Sequence, residues 1–261
     1  MLADYHLHTT FSEDSKCLME DYIKRALEIG IDELCFTDHI DYGTKYSFCC
    51  DCKKYYETFL KYKEIFKDKI SLKFGIEFGL QAHHVEYFNK IFNEYPFDFV
   101  ILSFHLIDDK DLWSGEFQRG KTQKEYNRIY YEEMYKTVQI YKNYSVLGHL
   151  DLMRRYDASG EYPFENTKDQ IEAILKEVIK DNKGIEVNTS SFRYKLNGLM
   201  PSVDILKFYY DLGGRIITIG SDSHNVNHVG YKINYVKDIL KEIGFKEFAT
   251  YDKLEPKFWE L

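Results

Sequence analysis

The sequence of 261 residues predicts an α/β fold in which seven strand-then-helix units form a closed barrel. Three observations predict this fold. Short apolar runs alternate strictly with segments of helical spacing, no linker rich in Pro, Gly or Ser divides the chain, and His, Asp and Glu recur where the apolar runs end. Strict alternation gives a parallel sheet, and seven such units favour a closed barrel over an open sheet. We therefore expect a single domain over residues 1–261, with the active site at the carboxyl ends of the strands.

Each predicted unit begins with a short apolar run and continues into a segment with apolar residues at helical spacing. The predicted strands are 2–7, 33–37, 70–76, 97–104, 145–147, 184–187 and 215–219. The predicted helices that follow them are 18–29, 53–67, 85–92, 124–142, 168–180, 203–212 and 232–243. Gly30 marks the end of the first helix, since glycine is common just past a helix C-terminus. The segments 9–17 and 106–122 are predicted loops, and a short tail rich in Phe and Tyr closes the sequence.

The first strand carries a pair of histidines, His6 and His8, one residue apart. A strand points alternate side chains to opposite faces, so both imidazoles leave the same face at one end of the strand. Two imidazoles held in this way can serve as a pair of metal ligands. The pair also fits an ordinary polar strand face, so the prediction of a metal site depends on the rest of the chain.

Composition and charge argue against several classes of partner. The formal net charge of −8 argues against polynucleotide binding, although bound divalent metals could still create a local positive site. No apolar run reaches the roughly 18 residues that span a bilayer, and the N-terminus lacks the basic-then-apolar pattern of a signal peptide. Of five cysteines, three lie at Cys49, Cys50 and Cys52 without zinc-finger spacing, and we interpret them as reduced thiols of a cytoplasmic protein. No nucleic acid or membrane partner is expected, and the oligomeric state is left open.

Metal-ligand residue types recur at the ends of six predicted strands and on the first loop. The candidate metal ligands are His6, His8, Asp14, His39, Glu77, His105, His149, Asp222 and His224. Each residue alone could be a buried polar group or a helix cap, but the set faces one mouth of the barrel. Nine ligands exceed the need of one ion, so we expect two or three divalent metals, and imidazole with carboxylate favours Zn, Mn or Fe. Glu77 is placed to bridge two ions, whereas adjacent His83 and His84 are expected to face solvent.

Six motifs, in this order along the chain, resemble those of the polymerase and histidinol phosphatase (PHP) superfamily. They are Asp4-Tyr5-His6-Leu7-His8-Thr9, Phe36-Thr37-Asp38-His39, Gly75-Ile76-Glu77, Ser103-Phe104-His105, Gly148-His149-Leu150-Asp151 and Ser221-Asp222-Ser223-His224. The resemblance implies a distorted seven-stranded TIM-like barrel with a trinuclear metal centre. By position it implies one metal on His6, His8, Glu77 and Asp222, a second on Glu77, His105 and His149, and a third on Asp14, His39 and His224. Many relatives carry His where this chain has Asp14.

Two further stretches resemble the histidinol-phosphate phosphatase branch of that superfamily. These are 149–156, which contains Arg154 and Arg155, and 186–193, which contains Asn188, Ser190 and Arg193. A phosphomonoester calls for forked cationic donors beside the metals, and arginine supplies them. Only one of the two adjacent arginines is expected to face the site. Asn188 and Ser190 are candidates either to bind substrate or to cap the loop, and Asp151 is expected to orient the His149 imidazole.

The branch resemblance implies a metal-dependent phosphomonoesterase that hydrolyses L-histidinol phosphate to L-histidinol and phosphate in histidine biosynthesis. A metal-bound hydroxide would attack phosphorus. The residues expected to be catalytic are Asp14, His39, Glu77, Asp222 and His224. Asp14, Asp38 and His228 are alternatives for the group that protonates the leaving alkoxide. The competing hypotheses are a nucleotide phosphoesterase or nuclease with the same centre, and a non-catalytic metal-binding module.

Overall fold

A sheet of parallel strands forms the centre of the molecule, whose computed structural model describes residues 1–43, 47–196 and 198–261. The strands are β1 Ala3–Asp4, β2 Glu33–Phe36, β3 His39–Tyr42, β4 Ser47–Cys49, β5 Ser71–Gly79, β6 Phe99–Ser103, β7 Leu106–Ile107, β8 Lys110–Asp111, β9 Val146–Leu147, β10 Gly184–Asn188, β11 Ile217–Gly220, β12 Glu247–Asp252 and β13 Glu255–Glu260. The helices are α1 Met19–Ile29, α2 Cys52–Phe66, α3 Val85–Glu94, α4 Gln123–Ile140, α5 Lys168–Lys180, α6 Val203–Asp211 and α7 Ile233–Ile243. Each of the seven predicted helices is therefore present.

Seven parallel strands form the predicted barrel. They pair in the order β1-β2-β5-β6-β9-β10-β11. The first and last strands meet through backbone hydrogen bonds, from Tyr5 N–H to the Ile219 carbonyl (3.1 Å) and from Ser223 N–H to the His6 carbonyl (3.1 Å). The prediction of a TIM-like barrel of seven parallel strands is thus confirmed. The barrel is nearly closed, and the carboxyl ends of all seven strands open on one side.

The structure differs from the predicted elements in four places. Regular pairing in the first strand stops at Asp4, and Leu7 makes only an isolated parallel bridge to Ser223. The second predicted strand continues as β3, which pairs with the far half of β5 and with β4. Two hairpins, β7–β8 and β12–β13, lie where a loop and a tail were expected. A polar strand end and an edge hairpin lack the apolar runs that identify buried strands.

The helices cover the barrel with one apolar face each. In α1 the buried residues are Met19, Tyr22, Ile23 and Ala26, which is the spacing of a single helix face. The helix ends at Gly30, whose φ of 76° is favourable for glycine. One continuous core cluster extends from Ala3 to Tyr251, and the single domain over residues 1–261 stays a prediction. Among the described helices, none combines the length and apolarity that a membrane span requires.

The C-terminal hairpin closes the amino-terminal end of the barrel through Tyr5. The Tyr5 hydroxyl donates to Glu33 Oε1 (2.5 Å) and accepts from Tyr251 N–H (2.7 Å), and all three residues are buried. The Tyr5 ring packs edge-on against Phe99, which also contacts the Tyr251 ring. One hydroxyl therefore joins β1, β2 and β12.

Replacing Tyr5 with Phe should lower the free energy of unfolding by about 1–3 kcal/mol, because it leaves buried polar groups without a partner. Urea denaturation at fixed metal concentration would measure this loss. Tyr62→Phe is the control, since the Tyr62 hydroxyl bonds Glu20 at 3.3 Å on a partly exposed helix. The control should change stability by less than about 0.5 kcal/mol. Equal losses in the two variants would contradict the structural role of Tyr5.

Candidate metal centre and active site

The Glu77 carboxylate lies fully buried at the centre of the candidate site, near the end of β5. Its Oε1 is 2.9 Å from His149 Nε2 and 3.3 Å from His105 Nε2. Its Oε2 is 3.1 Å from His6 Nε2 and 3.0 Å from His39 Nδ1. Oε1 thus faces two imidazoles, and Oε2 faces three, because His8 Nε2 also lies 3.5 Å from it. A carboxylate that bridges two ions needs this arrangement, and the bridging role stays a proposal.

His6 and His8 point to the same side of their strand, as alternation predicts. The Nε2 atoms of His6 and His8 lie 3.8 and 3.5 Å from Asp222 Oδ1. Asp222 follows β11, and backbone hydrogen bonds between His6, His8 and Ser223 hold that loop beside the first strand. Barrel closure itself therefore brings the two histidines to Asp222.

A third group of side chains lies toward the mouth of the barrel. Asp14 Oδ2 is 3.0 Å from His224 Nε2 and 3.7 Å from His39 Nε2. The His8 ring stacks on His39 and on His224, each at 4.1 Å. All nine residues predicted as metal ligands therefore come together at one end of the barrel, and their ligand roles stay predictions.

Buried carboxylates and imidazoles in this cluster shift one another's pKa values. Burial alone lowers the pKa of His6, but the Glu186 and Glu77 carboxylates outweigh it and raise that pKa well above its usual value. Against the same effect of burial, Asp41 and Glu77 raise the pKa of His105 to about 9. Burial raises the pKa of Glu77, but the facing imidazoles bring it well below its usual value. The cluster therefore favours added positive charge, which divalent ions can supply in place of protons.

The donor set fits divalent metal ions. Four buried ring nitrogens make no hydrogen bond of good geometry in the described part of the chain, namely His8 Nε2, His39 Nδ1, His149 Nδ1 and His224 Nε2. Four overlapping groups have ligand atoms within 4.8 Å of one another: His8–His39–His224, His6–His8–Asp222, His6–Glu77–His149 and His39–Glu77–His105. These groups could hold several ions. Imidazole with carboxylate is the donor set typical of Zn, Mn and Fe sites.

Glu186, on β10, supports the cluster and was not among the predicted site residues. Its Oε1 is 2.6 Å from His6 Nδ1, and its Oε2 accepts from His149 N–H (3.0 Å) and Asn188 Nδ2 (3.2 Å). Gly220 leaves room for this contact, because a Cβ there would lie 2.4 Å from Glu186 Oε1. Strand alternation could have identified Glu186, since it lies two residues from the predicted Asn188 on the same face.

Asp41 supports the other side of the cluster and was also missed. Its Oδ1 is 2.7 Å from His105 Nδ1, and its Oδ2 is 3.5 Å from His39 Nδ1. Gly79 accommodates the carboxylate, because a Cβ at Gly79 would lie 1.7 Å from Asp41 Oδ1. The signal was again alternation, since Asp41 lies two residues beyond His39, but the strand was not expected to extend that far.

The adjacent arginines point to different places because they lie on a 3-10 turn, Leu152–Arg155. Arg155 lines the cavity, hydrogen-bonds Ser190 Oγ, and donates to Asp222 Oδ2 at 3.2 Å. Arg154 instead donates to Asp151 Oδ2 (2.8 Å) and Glu161 Oε1 (3.1 Å), beside a separate pocket. The structure therefore brings Arg155, and not Arg154, to the candidate site.

The expectation that Asp151 orients the His149 imidazole is not met. Asp151 Oδ2 accepts from Arg154 and from Ser202 N–H (2.9 Å). His149 Nδ1 has no hydrogen-bond partner within the described ranges. Glu186 contacts His149 instead, by accepting a hydrogen bond from the His149 backbone N–H.

The other predicted substrate residues lie behind the cavity. Arg193 Nη2 donates to the backbone carbonyls of Ser221 and Asp222, both at 2.8 Å. Asn188 caps the next turn by accepting from Ser190 N–H (3.0 Å). Ser190 Oγ contacts Asp222 Oδ2 at 3.0 Å. These three residues position the Asp222 loop and Arg155, and direct substrate contact stays a prediction for each.

Asp38 and Asp14, two of the three alternatives for the group that protonates the leaving alkoxide, lie in different surroundings. Asp38 is buried behind the cluster, and Asp14 lines the cavity. The fully buried Asp38 carboxylate accepts from Thr9 N–H (2.7 Å) and Ser12 Oγ (2.7 Å), and so holds the loop behind His8. Asp14 lines the cavity, and the neighbouring His224 and His39 outweigh burial to hold its pKa below the usual range.

A cavity of about 420 Å³ opens over the cluster, a volume suited to a small molecule. Its floor is polar, and its walls are largely aromatic. The wall residues are Trp113, Leu152, Arg155, Tyr156 and Tyr194. The Arg155 guanidinium lies 3.9 Å from the Tyr194 ring centroid, so the cation is held at the cavity wall.

Glu186→Gln should weaken metal binding about 10–100-fold, although Glu186 is not itself a proposed ligand. If the glutamine oxygen faces His6, its amide meets two other donors, His149 N–H and Asn188 Nδ2. If it flips, the amide faces His6 Nδ1 and forces a proton onto the nitrogen that faces Glu77.

Competition with a chromogenic chelator would measure this affinity. Glu33→Gln is the control, since Glu33 is also a buried carboxyl but lies at the opposite end of the barrel. The control should bind metal like the parent. Unchanged affinity in Glu186→Gln would show that Glu186 does not orient His6.

Comparison with known proteins agrees with this geometry. The PHP domain family matches residues 4–190. The histidinol-phosphatase of Lactococcus lactis is 33% identical over 256 residues, covering 97% of this chain and 95% of that protein. A probable histidinol-phosphatase of Clostridium acetobutylicum is 34% identical over 266 residues, covering 100% and 97%. The crystal structure of the Lactococcus lactis histidinol phosphate phosphatase, complexed with Zn, L-histidinol and phosphate, matches with a TM-score of 0.89 at 32% identity and 98% coverage of both chains. The chain belongs to the PHP domain family, in its histidinol-phosphatase branch.

Proposed function

We propose that this chain is a metal-dependent phosphomonoesterase that hydrolyses L-histidinol phosphate to L-histidinol and phosphate in histidine biosynthesis. The observation that carries the proposal is the full-length similarity to the Lactococcus lactis histidinol-phosphatase, at 33% identity over 97% of this chain. The related crystal structure contains Zn, L-histidinol and phosphate. This chain has a buried His and carboxylate cluster at the carboxyl ends of its barrel strands, below a cavity of small-molecule size.

Three sets of side chains would hold the metals. Glu77 joins the first two sets through its separate oxygens, and Asp14 completes the third at the mouth. The sets are His6–His8–Glu77–Asp222, Glu77–His105–His149 and Asp14–His39–His224. Divalent metals bound there supply Lewis acidity and lower the pKa of water near a phosphoryl group. Glu186 and Asp41 fix the tautomers of their imidazole partners by taking the Nδ1 side of each ring.

Arg155 is the proposed phosphate-binding cation. Its side chain is 8% exposed, and its Nε atom is buried without a hydrogen-bond partner in the described chain. The Arg155 Nη2 atom donates hydrogen bonds to Ser190 and Asp222. The other N–H groups of the guanidinium are therefore left to donate to a phosphoryl oxygen. A guanidinium beside a metal cluster stabilises the charge that develops on the transferred phosphoryl group.

The substrate is a small phosphate ester, and we propose no nucleic acid or membrane partner. The net charge of −8 gives no broad electrostatic attraction for a polynucleotide. The five cysteines are all free thiols, which supports a reducing compartment such as the cytoplasm.

Phosphate release after loading with Zn, Mn or Fe would test the substrate. L-Histidinol phosphate should exceed every 5′-nucleotide by at least about 100-fold in kcat/KM, a difference of about 2.7 kcal/mol. Removal of the metals with a chelator should abolish turnover, and their return should restore it. Preference for a nucleotide would favour the phosphoesterase alternative. No turnover with any metal or substrate would favour the non-catalytic module.

Arg155→Lys should lower kcat/KM by about 10–100-fold, because an ammonium keeps the charge but loses the forked donors. Both kcat and KM should change if Arg155 binds phosphate in the ground state and the transition state. Arg154→Lys is the matched control, since lysine can still pair with Asp151 away from the cavity. Steady-state kinetics in which both variants match the parent would remove Arg155 from the phosphate site.

A further inference from the structure

A second cluster of metal-ligand residues lies where the segment after β5 meets the β7–β8 hairpin. His83 and His84 belong to the 3-10 turn Ala82–His84, and Asp109 lies in the hairpin turn. None of the three is among the described residues that line the catalytic cavity. We propose that His83, His84 and Asp109 form an additional binding site for a divalent transition metal such as Zn²⁺. The proposal does not depend on the proposed function.

The spacing of the ligand atoms carries the proposal. His83 Nε2 and His84 Nε2 each lie 3.4 Å from the same atom, Asp109 Oδ1. Two ligands about 2.05 Å from a tetrahedral ion lie about 3.3 Å apart, whereas octahedral ligands at similar bond lengths lie about 3.0 Å apart. The contact from His84 meets hydrogen-bond geometry in the metal-free chain, although N–H···O hydrogen bonds are usually shorter, at about 2.7–3.2 Å. Two imidazoles that converge on one oxygen at this distance match two edges of a zinc tetrahedron.

The carboxylate is held in place before any ion binds. Fully buried Gln81 donates from Nε2 to Asp109 Oδ1 (3.0 Å), and its Oε1 accepts from Asp109 N–H (2.8 Å). Asp109 has a φ of 56°, a turn conformation that aspartate and asparagine tolerate. The His84 ring is held edge-on against Tyr42 at 4.8 Å. Asp109 and His84 therefore lose little side-chain freedom on binding.

The cluster is accessible and has the donor chemistry of a transition-metal site. The side chains of His83, His84 and Asp109 are 45%, 18% and 24% exposed. An ion can therefore enter from solvent, and water can fill the remaining tetrahedral position. Two imidazoles with one carboxylate suit Zn, Co or Ni better than Mg or Ca. The expectation that both histidines simply face solvent is thus wrong for His84, most of which is covered.

The position of the cluster suggests what a bound ion would do. Gln81 and His84 follow the strand that carries Glu77, and the hairpin begins at Leu106, directly after His105. An ion at this site would tie together the segments that follow two residues of the catalytic cluster. It would act as a local cross-link at the rim of the barrel.

Equilibrium dialysis of the metal-loaded protein against Zn²⁺ would test the site. The parent should bind one more ion per chain than Asp109→Asn, or bind that ion at least about tenfold more tightly. Asparagine keeps the turn conformation and an oxygen for Gln81 but is a poor zinc ligand. Asp108→Asn is the matched control, because Asp108 is the adjacent turn residue, is 82% exposed and pairs with Lys110. It should bind zinc like the parent.

Thermal unfolding at zinc concentrations above saturation of the catalytic cluster gives a second readout. The midpoint should rise further in the parent and in Asp108→Asn but not in Asp109→Asn. Equal zinc binding by the parent and Asp109→Asn, or the same loss in Asp108→Asn, would overturn the proposal. Should Asp109→Asn fail to fold, His83→Ala decides the matter, since retention of the extra ion there would also overturn it.

Discussion

The arrangement of the functional end depends on one buried carboxylate, Glu77. A charged group with no solvent contact is very costly unless opposite charges and hydrogen-bond donors surround it. Five imidazoles and the Ser103 hydroxyl, 2.6 Å from Oε1, provide that surrounding. These imidazoles come from four different strand ends around β5, so the carboxylate is fully surrounded only when those strands have assembled. Assembly of these strands and formation of the cluster are therefore coupled. Burial of apolar side chains in the core below the cluster must offset the free-energy cost of burying the Glu77 carboxylate.

The two ends of the barrel are stabilised by different interactions. The polar cluster stabilises the mouth, and the hydrogen bonds of the Tyr5 hydroxyl stabilise the base. At the base, Tyr5 joins three strands through neutral and charged hydrogen bonds that need no ion. At the mouth, imidazoles with raised pKa values compete with metals for the same carboxylates. Ions that bind only the folded chain stabilise it by mass action, so stability at this end rises with metal concentration. The C-terminal hairpin holds the other end of the barrel together independently of metal.

Much of the site was predictable because a parallel barrel places every strand end on one side, so the nine ligand-type residues had to converge. Alternation also placed His6 and His8 on one face. What failed has equally specific physical causes. Glu186 and Asp41 are carboxylates on the same strand faces as the predicted ligands, so residue type and alternation cannot tell them apart from ligands. The difference is that each contacts the Nδ1 atom of an imidazole, whose Nε2 atom faces the cluster. Strand alternation could not select between Arg154 and Arg155, because the chain there is a 3-10 turn. The C-terminal hairpin lies at an edge and has no continuous apolar run.

The supporting residues link the metal side of the site to the phosphate side. From His6 the contacts run through Glu186 and Asn188 to Ser190, and from Ser190 to Asp222, which faces His6 again. Arg155 joins this ring at both Ser190 and Asp222. The same carboxylates and amide thus orient a proposed metal ligand and the proposed phosphate-binding cation. A substitution in this ring that displaced His6 would therefore also displace Arg155. Selection for a different leaving group is therefore least costly at cavity residues outside this ring of contacts, such as Trp113 and Leu152.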